Sequence, residues 1–382
     1  METKETRIGD CVLCNPAVKL TKGKIYPVID IDKITVGKKF VTNKDVIVYD
    51  GQGGAKFENG DTLMARITPC LENGKMAKAK IEGQGLGSTE LFVFRGKEGV
   101  TDNDYVYYFL KQQYIRDLAA NSMTGASGRQ RADLKFIKKI KLNLPKLDDQ
   151  RRIASILSAY DNLIENNNRR IRLLEQMAEN LYKEWFVRFR FPGHEKAEFE
   201  NGLPKGWKVE KVQDWCRVFT GKKDVNQTVP DGKYSFFSCS PDTFKSNEYI
   251  YDGKAILVAG NGSYTGRTRY FEGKFDLYQR TYAIVSKIDD ADFLYYLYTR
   301  FKFDFEKIYS GGTRGSAIPY IVMKDLTRYK FFYEEEIVKR YISIIKPIFH
   351  QIDILNEENI TLSRQRDLLL PRLMSGKLEV KV

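Results

Sequence analysis

With 382 residues, 42% of them hydrophobic and 30% charged, the chain has room for two globular domains, each able to bury a core. No run of 18 uncharged apolar residues occurs, and the start METKETRIGD lacks a signal-peptide core, so neither a membrane span nor secretion is expected and the expected location is the cytoplasm. The net charge of +13 and pI near 9.2 point to a polyanionic partner, most simply nucleic acid, against the plainer alternative of a solvated basic surface.

In chain order, residues 1–147 read as an α+β domain. Apolar, β-rich runs YPVIDI (26–31), FVTNKDVIVYD (40–50), DTLMARI (61–67) and ELFVFR (90–95) are divided by Gly, Asn and Pro turns. DNDYVYYFLKQQYIRDLAA (102–120) has helical spacing and an Asp start. Residues 148–190 open with acidic DDQ, suited to a helix N-terminus. A 3-4 stripe follows: Ile153, Leu157, Tyr160, Ile164, Asn167, Ile171, Leu174, Ala178, Leu181 and Trp185. Residues 191–335 form the second domain. Residues 336–382 carry a broader stripe of Ile342, Ile345, Phe349, Ile352, Leu355, Leu362, Leu369 and Leu373, interrupted by Pro347 and Pro371, where a kink or early stop is expected. Each helix should be about 35–40 residues, hence roughly 50–60 Å long.

The last part of the chain looks like a second copy of its middle. Shifting 134–184 by 189 positions lands on 323–373, placing Ile153 on Ile342, Ile156 on Ile345, Tyr160 on Phe349 and Asn167 on Asn356. A constant offset over about fifty residues fits an uninterrupted helix and internal pseudosymmetry. The domains repeat as well. GKAILVAG (253–260) parallels GDTLMARI (60–67), RTYAIVSK (280–287) parallels TELFVFRG (89–96), and ADFLYYLYTRF (291–301) parallels NDYVYYFLKQQ (103–113). The loops between these landmarks diverge. Neither long helix can bury its stripe alone. Antiparallel pairing within the chain is the simplest solution, with the domains at opposite ends; helices of another molecule or of an ordinary bundle are the alternatives. Asn167 and Asn356 would fix the register.

Catalytic signatures are sparse. GQGLG (83–87) lacks G-x-G-x-x-G spacing and reads as a turn, and NGSYTGRT (261–268) misses the P-loop pattern, with Arg267 where Lys belongs. No amino-methyltransferase tetrapeptide is present. The cysteines Cys11, Cys14, Cys70, Cys216 and Cys239 give one CxxC, and with only His194 and His350 beside them neither a metal site nor a His-based triad is expected. The loops are richer. ENGKMAKAK (72–80) offers Lys75, Lys78 and Lys80, and TGASGRQR (124–131) offers Ser127, Arg129, Gln130 and Arg131. NGSYTGRTRY (261–270) offers Asn261, Tyr264, Arg267 and Arg269, and SGGTRGSAI (310–318) offers Thr313, Arg314 and Ser316. Arg reads guanine and Asn or Gln reads adenine in the major groove, Lys suits phosphates, and Gly allows close backbone approach. Taken singly, each is equally a solvated turn residue; as two matching loop sets in a basic chain they point to DNA.

Three stretches carry a family resemblance. LPKLDDQRRIASILSAYDNLIENNNRRIRLLEQMAENLYKEWF (144–186) resembles the central conserved region of type I restriction–modification specificity subunits. LPKGWKVEKVQDW (203–215) resembles the opening of their second target-recognition domain, and LLLPRLMSGKLEV (368–380) their C-terminal conserved region. The N-terminus shows no clear counterpart of LPKGW. The resemblance implies an α+β fold: two repeated globular α/β-type target-recognition domains separated by two long antiparallel coiled-coil helices, with pseudo-two-fold symmetry. It further implies a non-catalytic subunit whose two domains each bind half of a bipartite site on double-stranded DNA. The helices would set the spacer and dock two methyltransferase subunits that use S-adenosylmethionine. Restriction motor-nuclease subunits would join them, using ATP and magnesium. The rival readings are a protein scaffold built on a coiled coil that does not bind DNA, and an enzyme with its own nuclease or methyltransferase site.

Overall fold

The computed structural model describes residues 2–42, 44–125, 129–288, 291–310 and 320–378. It divides into an N-terminal unit, Met1–Arg169 with Asn356–Val382, and a C-terminal unit, Arg170–Leu355. The two follow one plan. In the N-terminal unit five strands lie in the order Val12–Cys14, Leu91–Gly96, Thr62–Ala65, Met76–Ala79 and Phe40–Val41. In the C-terminal unit the order is Cys216–Thr220, Thr281–Ser286, Tyr251–Ala259, Thr268–Leu277, Tyr234–Phe237 and Thr243–Ser246. Both sheets are antiparallel except at the same place, where Phe40–Val41 runs parallel to Met76–Ala79 and Tyr234–Phe237 parallel to Thr268–Leu277.

Strand alternation explains how each sheet feeds two cores. Ile256, Val258 and Ile284 face the helices, while Ala255, Leu257, Ala283 and Val285 face the other side with Phe237 and Phe275. In the N-terminal unit Met64, Phe92 and Phe94 face the helices. There Leu63, Leu91 and Val93 meet Ile29 and Phe57 of a second, four-stranded sheet. One strand of that sheet is Gln84–Gly87, which corrects the turn expected for GQGLG. Gly85 is needed because a Cβ there would come within 2.6 Å of the Phe57 ring. The single helix expected over 102–120 is also corrected. Gln112 turns extended and splits it into Asn103–Lys111 and Gln113–Asn121.

The opening of the first domain, unmarked in sequence, has its counterpart in structure. Thr3–Arg7 pairs antiparallel with Lys141–Pro145 and leads through the short helix Ile8–Cys11 into the sheet. Lys208–Lys211 pairs with Lys330–Tyr333 and leads through Val212–Trp215 into its own sheet.

Two long helices complete the units: Leu147–Tyr182, extended by a π-helical turn Lys183–Val187, and Glu335–Met374. Each has two acids in its first turn, suited to the positive end of the helix dipole. Gln150 anchors the first helix: its side chain accepts from the Asp102 amide and donates to the carbonyls of Val100 and Pro145. The expected break at Pro347 and Pro371 is corrected. The helix runs through both, because each costs one backbone bond on an exposed face while Ile345, Phe349, Leu370 and Leu373 are buried on either side.

Within each unit the helices pair antiparallel. In the N-terminal unit Asp161 meets Arg366 and Asn167 donates to Glu358 at 3.0 Å, while Ile153 and Leu157 share a core with Leu370 and Leu373. In the C-terminal unit Trp185 and Phe186 pack on Tyr341, and Ile171, Leu174 and Leu181 lie against a core with Ile342, Ile345, Phe349 and Ile352. Tyr160, Ile164, Leu362 and Leu369 are half-buried. Asn356 is corrected: it is exposed, and the asparagine that finds a partner is Asn359, which donates to Asn168 at 3.2 Å.

Candidate nucleic-acid interface

In each unit the chain crosses back over the end of one strand, close to loops expected from the sequence. Past Ala65 the chain enters segment 66–75, and the chain returning from the 124–131 loop crosses it. Thr68 donates its amide to Gln130 (3.0 Å), Thr124 and Arg131 exchange backbone hydrogen bonds, and the Ala132 amide donates to Arg66 (2.8 Å). In the C-terminal unit, past Ala259, the Ile321 amide donates to the Gly260 carbonyl at 2.8 Å. Ala132 and Ile321 are themselves 189 apart, so the loop crossing belongs to the repeat. Gly266 has φ +87° and a Cβ there would meet Tyr309 at 2.6 Å, so glycine is needed to turn the 260–267 loop back onto the strand.

The side chains sort into free and engaged groups. Arg129 and Lys80 are exposed, and the Lys80 ammonium lies 5.1 Å from the Phe40 ring. Gln130 and Asn261 are half-buried. Tyr264 is exposed, with the Arg267 guanidinium 5.9 Å from its ring, and Arg267 has no ion-pair partner among the described residues. Ser127, Thr313, Arg314 and Ser316 lie outside the described residues.

Three of the expected contact residues have their side chains engaged within the fold. Lys78 lies in the doubly buried strand Met76–Ala79, and its ammonium binds Asp104 at 2.6 Å, beside buried Lys39, so it serves the core. Arg269 is on the strand Thr268–Leu277, where its guanidinium donates to Thr243 Oγ1 (2.9 Å) and the Pro241 carbonyl (2.5 Å) over the Phe237 ring. Burial, then the nearby Arg267, lowers its pKa. Arg131 is clamped on Glu90 by two short bonds, and that hydrogen bonding holds the Glu90 carboxyl below its ordinary pKa. Lys75 is partly engaged, donating to the Ile31 carbonyl at 3.1 Å.

Sequence reasoning missed Arg66. It stacks on Phe92 (5.0 Å) and, with Lys56 and Asn15, lines a groove of about 450 Å³ along the N-terminal sheet. Its signal was present in DTLMARI, where a cation directly follows the buried strand. In the C-terminal unit Ser238 and Ser240 line a shallow pocket with Arg267 and Arg269.

This duplicated arrangement has a family counterpart. The model of the type I restriction modification DNA specificity domain matches residues 11–176 and again 204–364. The chain belongs to this family. It is a type I restriction–modification specificity subunit with two DNA specificity domains. It is similar to the MjaIX specificity subunit of Methanocaldococcus jannaschii, at 26% identity over 75% of this chain and 71% of that protein. It is equally similar, at 26%, to that organism's MjaVIII specificity subunit, over 98% of this chain and 92% of the relative. The crystal structure of the type-I restriction-modification S subunit from M. genitalium shares the fold, with a TM-score of 0.62 over 97% of this chain and 96% of that one, at 17% identity. As a specificity subunit the chain is a DNA-recognition component. Among its described residues no helix is long and apolar enough to cross a membrane, and no three His, Cys, Asp or Glu side chains group as a metal site.

Proposed function

We propose that each specificity domain reads one half of a bipartite DNA site through the paired loops at its strand end, and that the two long helices fix the unread spacer. The observation that carries this reading is the chain crossing repeated at one strand end of each unit, Ala132 on Arg66 and Ile321 on Gly260, beside Arg129 and Gln130 in one unit and Asn261, Tyr264 and Arg267 in the other. Side chains of these types recognise base edges and phosphates. In this reading the chain carries out no chemistry. Two methyltransferase subunits dock on the helices and use S-adenosylmethionine, and motor-nuclease subunits use ATP and magnesium, all in the cytoplasm.

The spacer is the decisive test. One heptad inserted in register into both helices adds about 10 Å, close to three base pairs. Mapping methylated adenines made by the assembled complex should show the tolerated spacer lengthened by that amount. An unchanged spacer would remove the helices' measuring role. Recognition residues are tested separately. Arg267→Ala should weaken binding to the cognate site by about 1–3 kcal/mol if the guanidinium reads a guanine. An equal loss on unrelated DNA, with a shallower salt dependence, would make it a phosphate contact.

A further inference from the structure

The split between helices Asn103–Lys111 and Gln113–Asn121 opens a cavity of about 450 Å³ against the last turns of the C-terminal helix. Its size is that of a small-ligand site. Val36, Met76 and Leu370 give it apolar wall, and Lys111, Arg116 and Arg366 bring three cations to its lining. Two donors in this lining are buried without a hydrogen-bond partner, Lys111 Nζ and Arg116 Nε. The nearest carboxylate oxygen to the Lys111 ammonium is on Asp367, at 3.7 Å, and Arg366 Nε already holds that oxygen at 2.9 Å. Buried donors of this kind are costly unless an acceptor is supplied, and the Lys111 ammonium has only this shared, long ion pair and the Tyr107 ring at 6.0 Å. Burial, then the nearby Arg366, pulls the Lys111 pKa down to about 8, as expected for a cation short of counter-charge.

The charges define the missing partner. Lys111, Arg116 and Arg366 are opposed by Asp367 and by Asp161, which is paired with Arg366, so one positive charge is left over. We infer that this cavity is a binding site for a small-molecule monocarboxylate, its headgroup between Lys111 and Arg116 and its apolar body against Val36, Met76 and Leu370. Both walls belong to the N-terminal unit, so an occupant would tie the first domain's helices to the C-terminal helix. The inference does not depend on the DNA-reading proposal.

Calorimetric titration of the full-length chain with phenylacetate and with hexanoate, one headgroup on an aryl and an alkyl body, tests it. One-to-one binding is expected for at least one of them, accompanied by a rise in melting temperature. The neutral analogue phenylacetamide should bind about tenfold more weakly or not at all. Lys111→Met, an apolar replacement of similar length, should abolish the preference for acid over amide. Val36→Trp, at a half-exposed rim position, should block uptake while leaving the unliganded melting temperature unchanged. Equal affinity for acid and amide would reduce the site to an apolar hole. No uptake of either carboxylate at millimolar concentration, or undiminished acid preference in Lys111→Met, would overturn the inference.

Discussion

Replacing Arg366 with methionine is expected to destabilise the N-terminal unit by about 3–5 kcal/mol, because it strands a charge in the helix seam. Asp161 and Arg366 are both at most 3% exposed, and their ion pair joins the two long helices. Tyr108, from the first domain, donates to the second Asp161 oxygen, so one carboxylate ties together three helices. Removing the guanidinium leaves that carboxylate buried with a single neutral donor. The double replacement Asp161→Leu with Arg366→Met removes both charges and should regain most of the loss, since apolar substitutes for a buried pair are often neutral or stabilising. Urea unfolding of the wild type and both variants measures this. If the single variant unfolds with the wild-type midpoint, or if the double variant is the less stable of the two, the seam does not depend on this pair.

The same pair shows where sequence reading succeeds and stops. The strands were legible because each sheet buries both faces, giving the near-continuous apolar runs of LFVF and AILV. The fixed offset of 189 carries Lys141 onto Lys330, both of which begin a strand in the fold, and carries Leu147 to within one residue of the start of the C-terminal helix. Counting apolar residues in the seam, however, gives weight to Tyr160 and passes over Asp161 beside it. The partner that makes Asp161 tolerable is 205 residues away, in RQRDLLLPR, where an arginine looks like surface charge. Lys78 shows the converse. In GKMAKAK it reads as a loop cation, yet its neighbours Met76, Ala77 and Ala79 are all buried in a strand, and only Asp104, on a later helix, accounts for a lysine among them. Asn356 matched Asn167 by offset, but pairing across an antiparallel seam follows a constant sum of residue numbers, not a constant difference. That rule brings Asn359 to Asn168 and leaves Asn356 facing solvent. At the candidate interface the sequence offers two matching loop sets, of which the 310–318 loop lies almost wholly outside the described residues. Which of their cations are free was not legible, because Glu90, Thr243 and the Pro241 carbonyl, which occupy Arg131 and Arg269, come from other parts of the fold.

Phe186→Ala is expected to cost the C-terminal unit about 3–5 kcal/mol. Phe186 is fully buried, with ring centroids 4.6 Å from Tyr296, 4.9 Å from Tyr341, 5.7 Å from Trp207 and 5.9 Å from Tyr182. These rings come from four places: the second domain's helix, the C-terminal helix, the segment opening the domain, and the central helix itself. The π-helical turn Lys183–Val187 explains how the central helix reaches them, because a wider turn lets consecutive Trp185 and Phe186 both point inward. Truncation would therefore leave a void at a junction of four segments, and each aromatic contact contributes beyond its buried area. Phe186→Leu keeps most of the volume and should cost roughly 1–1.5 kcal/mol, the range for a conservative core change. The N-terminal seam combines the Asp161–Arg366 pair with Ile153, Leu157, Leu370 and Leu373 and has no such aromatic cluster among the described residues, so limited proteolysis of Phe186→Ala should cut first within 170–355 and leave the first domain protected. Equal protection of both units, or an unfolding midpoint within about 1 kcal/mol of the wild type, would mean that this aromatic junction is not what holds the second recognition domain to the helices.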